Sequence, residues 1–155
     1  MTLKLIRLSL LVLLFSCGKK ISSTQSDNQT TIGGKVFSMK TTECNGECPV
    51  FEFNVFENGN YQFIGTKYVN QDKSEGQLPN GSYDSLMAVL DDIEFFRMKV
   101  INDTKIKDLP SYYFMASKDS VEKSILYYYP RNEKLSKLIN YNMQLLNQLG
   151  LVNSN

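Results

Sequence analysis

Two runs of alternating apolar residues, Phe51, Phe53, Val55 and then Tyr61, Phe63, meet across Asn58-Gly59. No other stretch of the chain restricts its fold as much. Asn-Gly between such runs signals a β-hairpin. A two-residue loop would pair Glu57 with Asn60, set Phe53 opposite Ile64 and turn Phe63 away from Phe51, Phe53 and Val55. A three-residue loop, Glu57-Asn58-Gly59, places Val55 opposite Tyr61 and Phe53 opposite Phe63. One residue of slip moves every side chain to the other face, so burial of the apolar face selects the three-residue loop. Gly59 then takes the left-handed conformation that glycine tolerates best.

The flanking segments supply further elements. Val36 to Thr42 reads as a preceding strand, with Phe37 and Met39 on one face. Tyr68 to Asn80 is polar and reads as an irregular connection ending in a turn at Pro79-Asn80-Gly81. Ser82 is placed to cap a helix of about four turns, with Asp84 in its first turn and an apolar stripe of Leu86, Val89, Leu90, Ile93 and Phe96. Asp91, Asp92 and Glu94 on that helix read as a solvated acidic face rather than a paired-carboxylate catalyst. Ser111 to Ser117 and Val121 to Tyr129 form a second hairpin around Lys118-Asp119-Ser120, loaded with aromatics on both faces. Asn132 can cap a last helix with the stripe Leu135, Leu138, Ile139, Leu145, Leu146 and Leu149, stopped by Gly150. Hairpin connections imply an antiparallel sheet, and two one-sided helices imply a layer on one face. The expectation is a two-layer α+β domain over residues 35–152, with about five strands in the order βββαββα.

The first seventeen residues have a different grammar. Lys4 and Arg7 are followed by an apolar run from Leu8 to Phe15 and then Ser16-Cys17. That run is too short to span a bilayer, which takes about 20 apolar residues, and reads as a signal peptide over residues 1–16. Ser16-Cys17 at its end resembles the bacterial lipobox. The resemblance implies that Cys17 becomes an acylated N-terminus and that the partner of the chain is a membrane, held through lipid. Residues 17–34 are rich in Ser, Thr, Gln, Asn and Gly and suit a flexible tether with an r.m.s. span of roughly 23 Å. The 17 basic and 16 acidic residues of the chain give a net charge of +1. The leader carries Lys4 and Arg7 and no acid, so its removal leaves 15 against 16, a charge of −1. Such a balance offers no electrostatic footprint for nucleic acid.

With Cys17 assigned to lipid, Cys44 and Cys48 remain, with three residues between them, in a compartment that permits disulfides. Gly46 lets so short a loop close. A structural disulfide is the leading reading. The rivals are a redox pair, a metal site and free thiols. Redox enzymes favour a two-residue spacing at a helix N-terminus, which lowers a thiol pKa, whereas here Pro49 and a strand follow. A zinc site would have to draw on carboxylates, because the chain has no histidine. The same absence removes Ser-His and Cys-His nucleophile pairs. No P-loop, dinucleotide-binding glycine motif or EF-hand loop occurs.

Cys44, Gly46, Cys48, Pro49 and Phe51, followed by Asn58-Gly59 and the run from Tyr61 to Gly65, resemble the opening motif of the domain of unknown function 6438 family. Phe95-Phe96 and Asp108-Leu109-Pro110 match weaker later elements. Phe51 stands where the family often has Tyr. The resemblance implies a fold and an envelope compartment but no activity. The expectation is therefore a bacterial envelope lipoprotein, periplasmic or surface-exposed, whose domain binds a protein or envelope ligand without catalysis and without a cofactor. A thiol-disulfide oxidoreductase acting through Cys44 and Cys48 is the alternative.

Overall fold

The computed structural model describes residues 33–99, 108–128 and 132–153. The leader with Cys17, and most of the expected tether, lie outside the described residues. The strands are β1 (Lys35–Thr41), β2 (Val50–Phe56), β3 (Asn60–Lys67), β4 (Lys73–Gln77), β5 (Tyr112–Lys118) and β6 (Val121–Tyr127). The helices are α1 (Ser82–Asp92) and α2 (Glu133–Gln148), with a single 3-10 turn at Phe95–Arg97. All neighbouring strands are antiparallel, in the spatial order β4-β3-β2-β1-β5-β6. The architecture is the expected two-layer α+β arrangement, with six strands rather than five.

The β2–β3 register is the one that apolar alternation selects. Val55 is opposite Tyr61, Phe53 is opposite Phe63, and Gly59 has φ +75°. The row continues across the sheet as Ile125, Phe114, Met39, Phe53 and Phe63, five buried side chains on five adjacent strands. The rings also meet diagonally. Phe51 stacks on Phe63 with centroids 5.5 Å apart, and Phe53 tilts against Tyr61 at 6.0 Å. Leu86 and Leu90 of α1 and Leu135, Leu138, Leu145 and Leu146 of α2 close over this face. The aromatics of the second hairpin divide between faces. Phe114 and Tyr127 are buried in the core, while Tyr113 points to the other side.

The additional strand, β4, lies within the segment read as an irregular connection. It carries no apolar alternation because it needs none. Its inward residues, Ser74 and Gly76, lie opposite Phe63 and Tyr61. The Tyr61 ring packs directly on Gly76, where a Cβ would come within 3.2 Å, and the Tyr61 hydroxyl is 3.1 Å from Ser74 Oγ. Small residues at an edge let the neighbouring aromatics supply the packing. Lys73 and Glu75 on the outward side are charges of the kind that protect an edge from further pairing.

The helix termini also correct the sequence reading. Ser82 is the first helical residue and not the cap. Gly81 occupies that position with φ +78° and no side-chain cap is made. The Ser82 carbonyl instead accepts from the Tyr141 hydroxyl at 2.7 Å, which fixes α1 against α2. The helix ends at Asp92, about a turn earlier than the stripe suggests, because Glu94 adopts φ +54°. This left-handed residue resets the phase, so that Phe95 rather than Phe96 is fully buried. The last helix follows expectation. Asn132 Oδ1 accepts from the backbone of Lys134 and Leu135. At the other end Gly150 has φ +69°, with Gly150 N–H bonded to the Asn147 carbonyl and Leu151 N–H to that of Leu146. The second hairpin turns on two residues, Asp119 and Ser120, both with positive φ, and Lys118 already pairs with Val121.

Asp91, Asp92 and Glu94 are exposed, as expected of an acidic face, yet each holds a lysine from another element. Lys118, Lys137 and Lys134 respectively sit 2.7 Å away. The hydrogen bond and charge of Lys137 hold the Asp92 carboxyl below the ordinary carboxylate range, and Lys134 does the same for Glu94. A lowered folded pKa contributes stability above the unfolded pKa, and that contribution is lost as pH falls through the folded value. The melting temperature should therefore decline below about pH 4 and with added salt, and Asp92→Asn with Glu94→Gln should flatten both trends, as calorimetry can check.

Gly65 offers a sharper test of packing. A Cβ there would strike the Gln71 carbonyl oxygen and the Val69 side chain. Gly65→Ala should destabilise the domain by about 1–3 kcal/mol in urea titration, because backbone cannot yield as a flexible side chain would.

Candidate functional site

The residues shared with the family motif converge where β1 ends and β2 begins. Thr41 is the last residue of β1 and is buried. Its Oγ1 donates to the Pro49 carbonyl at 2.7 Å and accepts from Phe51 N–H at 3.1 Å. One hydroxyl thus closes the base of the connection at residues 42–49. Cys44 and Cys48 are joined by a disulfide, with Cα atoms 5.8 Å apart. The tip, Asn45, Gly46 and Glu47, is exposed, while Cys44, Cys48 and Pro49 are half-buried.

A second segment braces this loop. Asn45 N–H donates to the Asp108 carbonyl at 3.0 Å, and Thr42 N–H to that of Ser111 at 3.1 Å. Ser111 N–H returns a bond to Thr42 Oγ1 at 2.9 Å. Asp108-Leu109-Pro110, more than sixty residues further along the chain, is thereby brought against Cys44-Cys48. Asp108 carries φ +77°, an uncommon state for a residue other than glycine and one that its surroundings must hold. On the opposite flank Glu43 pairs with Lys67 at 2.6 Å, and its hydrogen bond and charge raise the lysine pKa. Tyr68 follows, with φ +53° and 54% exposure.

The remaining motif residues lie elsewhere. Phe51 is buried and stacked on Phe63, so it serves the core. Gly59 turns the hairpin at the far end of β2. Phe95 and Phe96 form an edge-to-face pair after α1. Thr41, Thr42 and Ser111 were not singled out from sequence. Their only mark is a pair of hydroxyl residues at a strand end, a pattern too common to carry meaning before the partner segment is in place.

Chemically the site is a closed, anchored loop. Among the described residues no group of three or more Cys, Asp or Glu could hold a metal ion. Two surface hollows lie away from it. One, of about 530 Å³, runs between α1 and α2 and is lined by Val89, Glu133, Lys137 and Tyr141 among others. The other, of about 280 Å³, lies below Phe95–Arg97. The Tyr141 phenol beside the first is pushed up by burial. Among the described residues no helix is long and apolar enough to cross a membrane.

The two links at the loop are separable by mutation. Thr41→Val leaves the Pro49 carbonyl and Phe51 N–H without partners and should cost about 1–3 kcal/mol in urea unfolding. Cys44→Ser with Cys48→Ser removes a five-residue ring and should cost roughly 2 kcal/mol by the loop-entropy estimate.

No curated protein matches the chain. A family model does, over residues 35–146, and its description is Domain of unknown function (DUF6438). The matched span begins with β1 and takes in the disulfide loop, the Asp108 segment and nearly all of α2. The chain belongs to the DUF6438 family.

Proposed function

We propose that this chain is a bacterial lipoprotein, anchored through Cys17, whose domain is a non-enzymatic binding or assembly module of the cell envelope. The reading rests on the basic, apolar and Ser16-Cys17 order of the leader and on a disulfide suited to an oxidising compartment. The observation that carries the non-enzymatic part is the bracing of Cys44-Cys48. Its loop is held at Thr41, at Asp108 and at Ser111, and it leads into a strand rather than a helix N-terminus. Such a pair holds a shape and is poorly set to exchange electrons.

The point of attachment fits this role. The chain approaches β1 at the end of the sheet that carries the β2–β3 hairpin, where Glu57 N–H donates to the Gly34 carbonyl at 3.0 Å. The disulfide loop lies at the other end of β1, seven residues or about 23 Å away. A tether from a membrane would meet the hairpin end first and leave the disulfide end facing outward.

Mass spectrometry of the protein from its native host should find an acylated N-terminal Cys17, and an intact leader would refute the anchor. Cross-linking and pull-down from native membranes should capture the same partner with wild type and with Cys44→Ser, Cys48→Ser. Insulin-reducing or thiol-oxidising activity that disappears in the double variant would overturn the binding reading in favour of an envelope oxidoreductase.

A further inference from the structure

The face of the sheet turned away from α1 and α2 is covered by no described helix, and Lys40 with Glu52, and Ile64 with Tyr113, lie symmetrically about the middle of the sheet. Strand pairing lays out two rows on it. One runs Lys73, Ile64, Glu52, Lys40, Tyr113, Leu126 from β4 to β6. The next runs Glu75, Gln62, Asn54, Ser38, Met115, Ser124. The midline of the six strands falls between β2 and β1. Glu52 and Lys40 are therefore equidistant from it, as are Ile64 and Tyr113, and Asn54 and Ser38. A two-fold axis along that midline, parallel to the strands, lays β1 of a second copy over β2 and its β5 over β3. Lys40 then meets the second copy's Glu52, Tyr113 its Ile64, and Ser38 its Asn54.

The charged and the apolar positions are incomplete in one copy. Among the described residues none of Lys40, Lys73, Glu52 and Glu75 is in an ion pair, although Asp91, Asp92 and Glu94 on the helix layer each hold a lysine. Ile64 and Tyr113 are 39% and 43% exposed. Asn54, 4% exposed, is already enclosed by its own chain, with Nδ2 donating to Glu52 and Gln62, and supplies no contact of its own.

The dimensions favour the same occupant. With strands about 4.8 Å apart and residues about 3.3 Å apart, the face measures about 24 by 20 Å. Covering it on two molecules buries about 1,000 Å², the lower bound for a specific interface. A second sheet of the same six strands covers the whole of it.

We propose that the chain forms a two-fold dimer through this face, with the two sheets stacked about 10 Å apart and their strands aligned within about 30°. Sedimentation velocity of the full chain with its native N-terminus, in detergent and from micromolar to submillimolar concentration, should give a dimer that salt weakens. Lys40→Glu should weaken association by about tenfold or more, and adding Glu52→Lys should restore it. Lys40 is exposed, so each variant should keep its fold, as circular dichroism can check. A monomer across the whole range overturns the proposal. So does a dimer indifferent to Lys40→Glu, or one that the compensating change does not restore.

Discussion

The pairing of β1 with β2 and β5 carries the rest of the molecule. These three strands place Phe37, Met39, Phe51, Phe53, Val55 and Phe114 on one buried face. Each fully buried side chain of this size contributes on the order of 1.5–3 kcal/mol relative to exposure. Both helices depend on that face, because an amphipathic helix is stabilised mainly by what its apolar stripe packs against. A one-residue slip of β1 would turn Phe37 and Met39 toward solvent and break the row from Ile125 to Phe63 at its middle.

The same strands position the candidate site. β1 ends at a buried threonine whose hydroxyl bonds Pro49 and Phe51 at the far end of the disulfide connection, and the segment before β5 supplies Asp108 and Ser111. The loop is therefore held from below by β1 and β2 and from the side by the approach to β5. A disulfide over a five-residue ring contributes roughly 2 kcal/mol through chain entropy. It also keeps Asn45 aligned with Asp108, on a segment more than sixty residues away.

The two faces of the sheet differ in kind. The helix side is apolar and nearly complete, with the Asn142 carboxamide oxygen as its exception, buried and without a donor. The far side mixes charge, amide and isolated apolar groups, and it lies beneath no described helix. Antiparallel sheets often leave one face to solvent. Here the far face combines charges of both signs that form no ion pair among the described residues with half-exposed Ile64 and Tyr113, a composition closer to an interface than to a purely solvated surface.

Short-range pattern alone determined the β2–β3 register, the buried stripe of α2 and its caps at Asn132 and Gly150. Each is decided by residues within a few positions of one another, where alternation or helical spacing leaves one acceptable arrangement. Tertiary structure decided what those rules do not reach. β4 forms because Tyr61 and Phe63 of a neighbouring strand supply the packing that Ser74 and Gly76 lack, so its own sequence carries no strand signal. The early end of α1 depends on Glu94, whose left-handed turn is compensated by the burial of Phe95 and a bond to Lys134. The bracing of the disulfide loop depends on Asp108 and Ser111, backbone partners that any sequence could offer. Backbone hydrogen bonds between distant segments are nearly independent of side-chain identity, and only the folded chain brings those partners together.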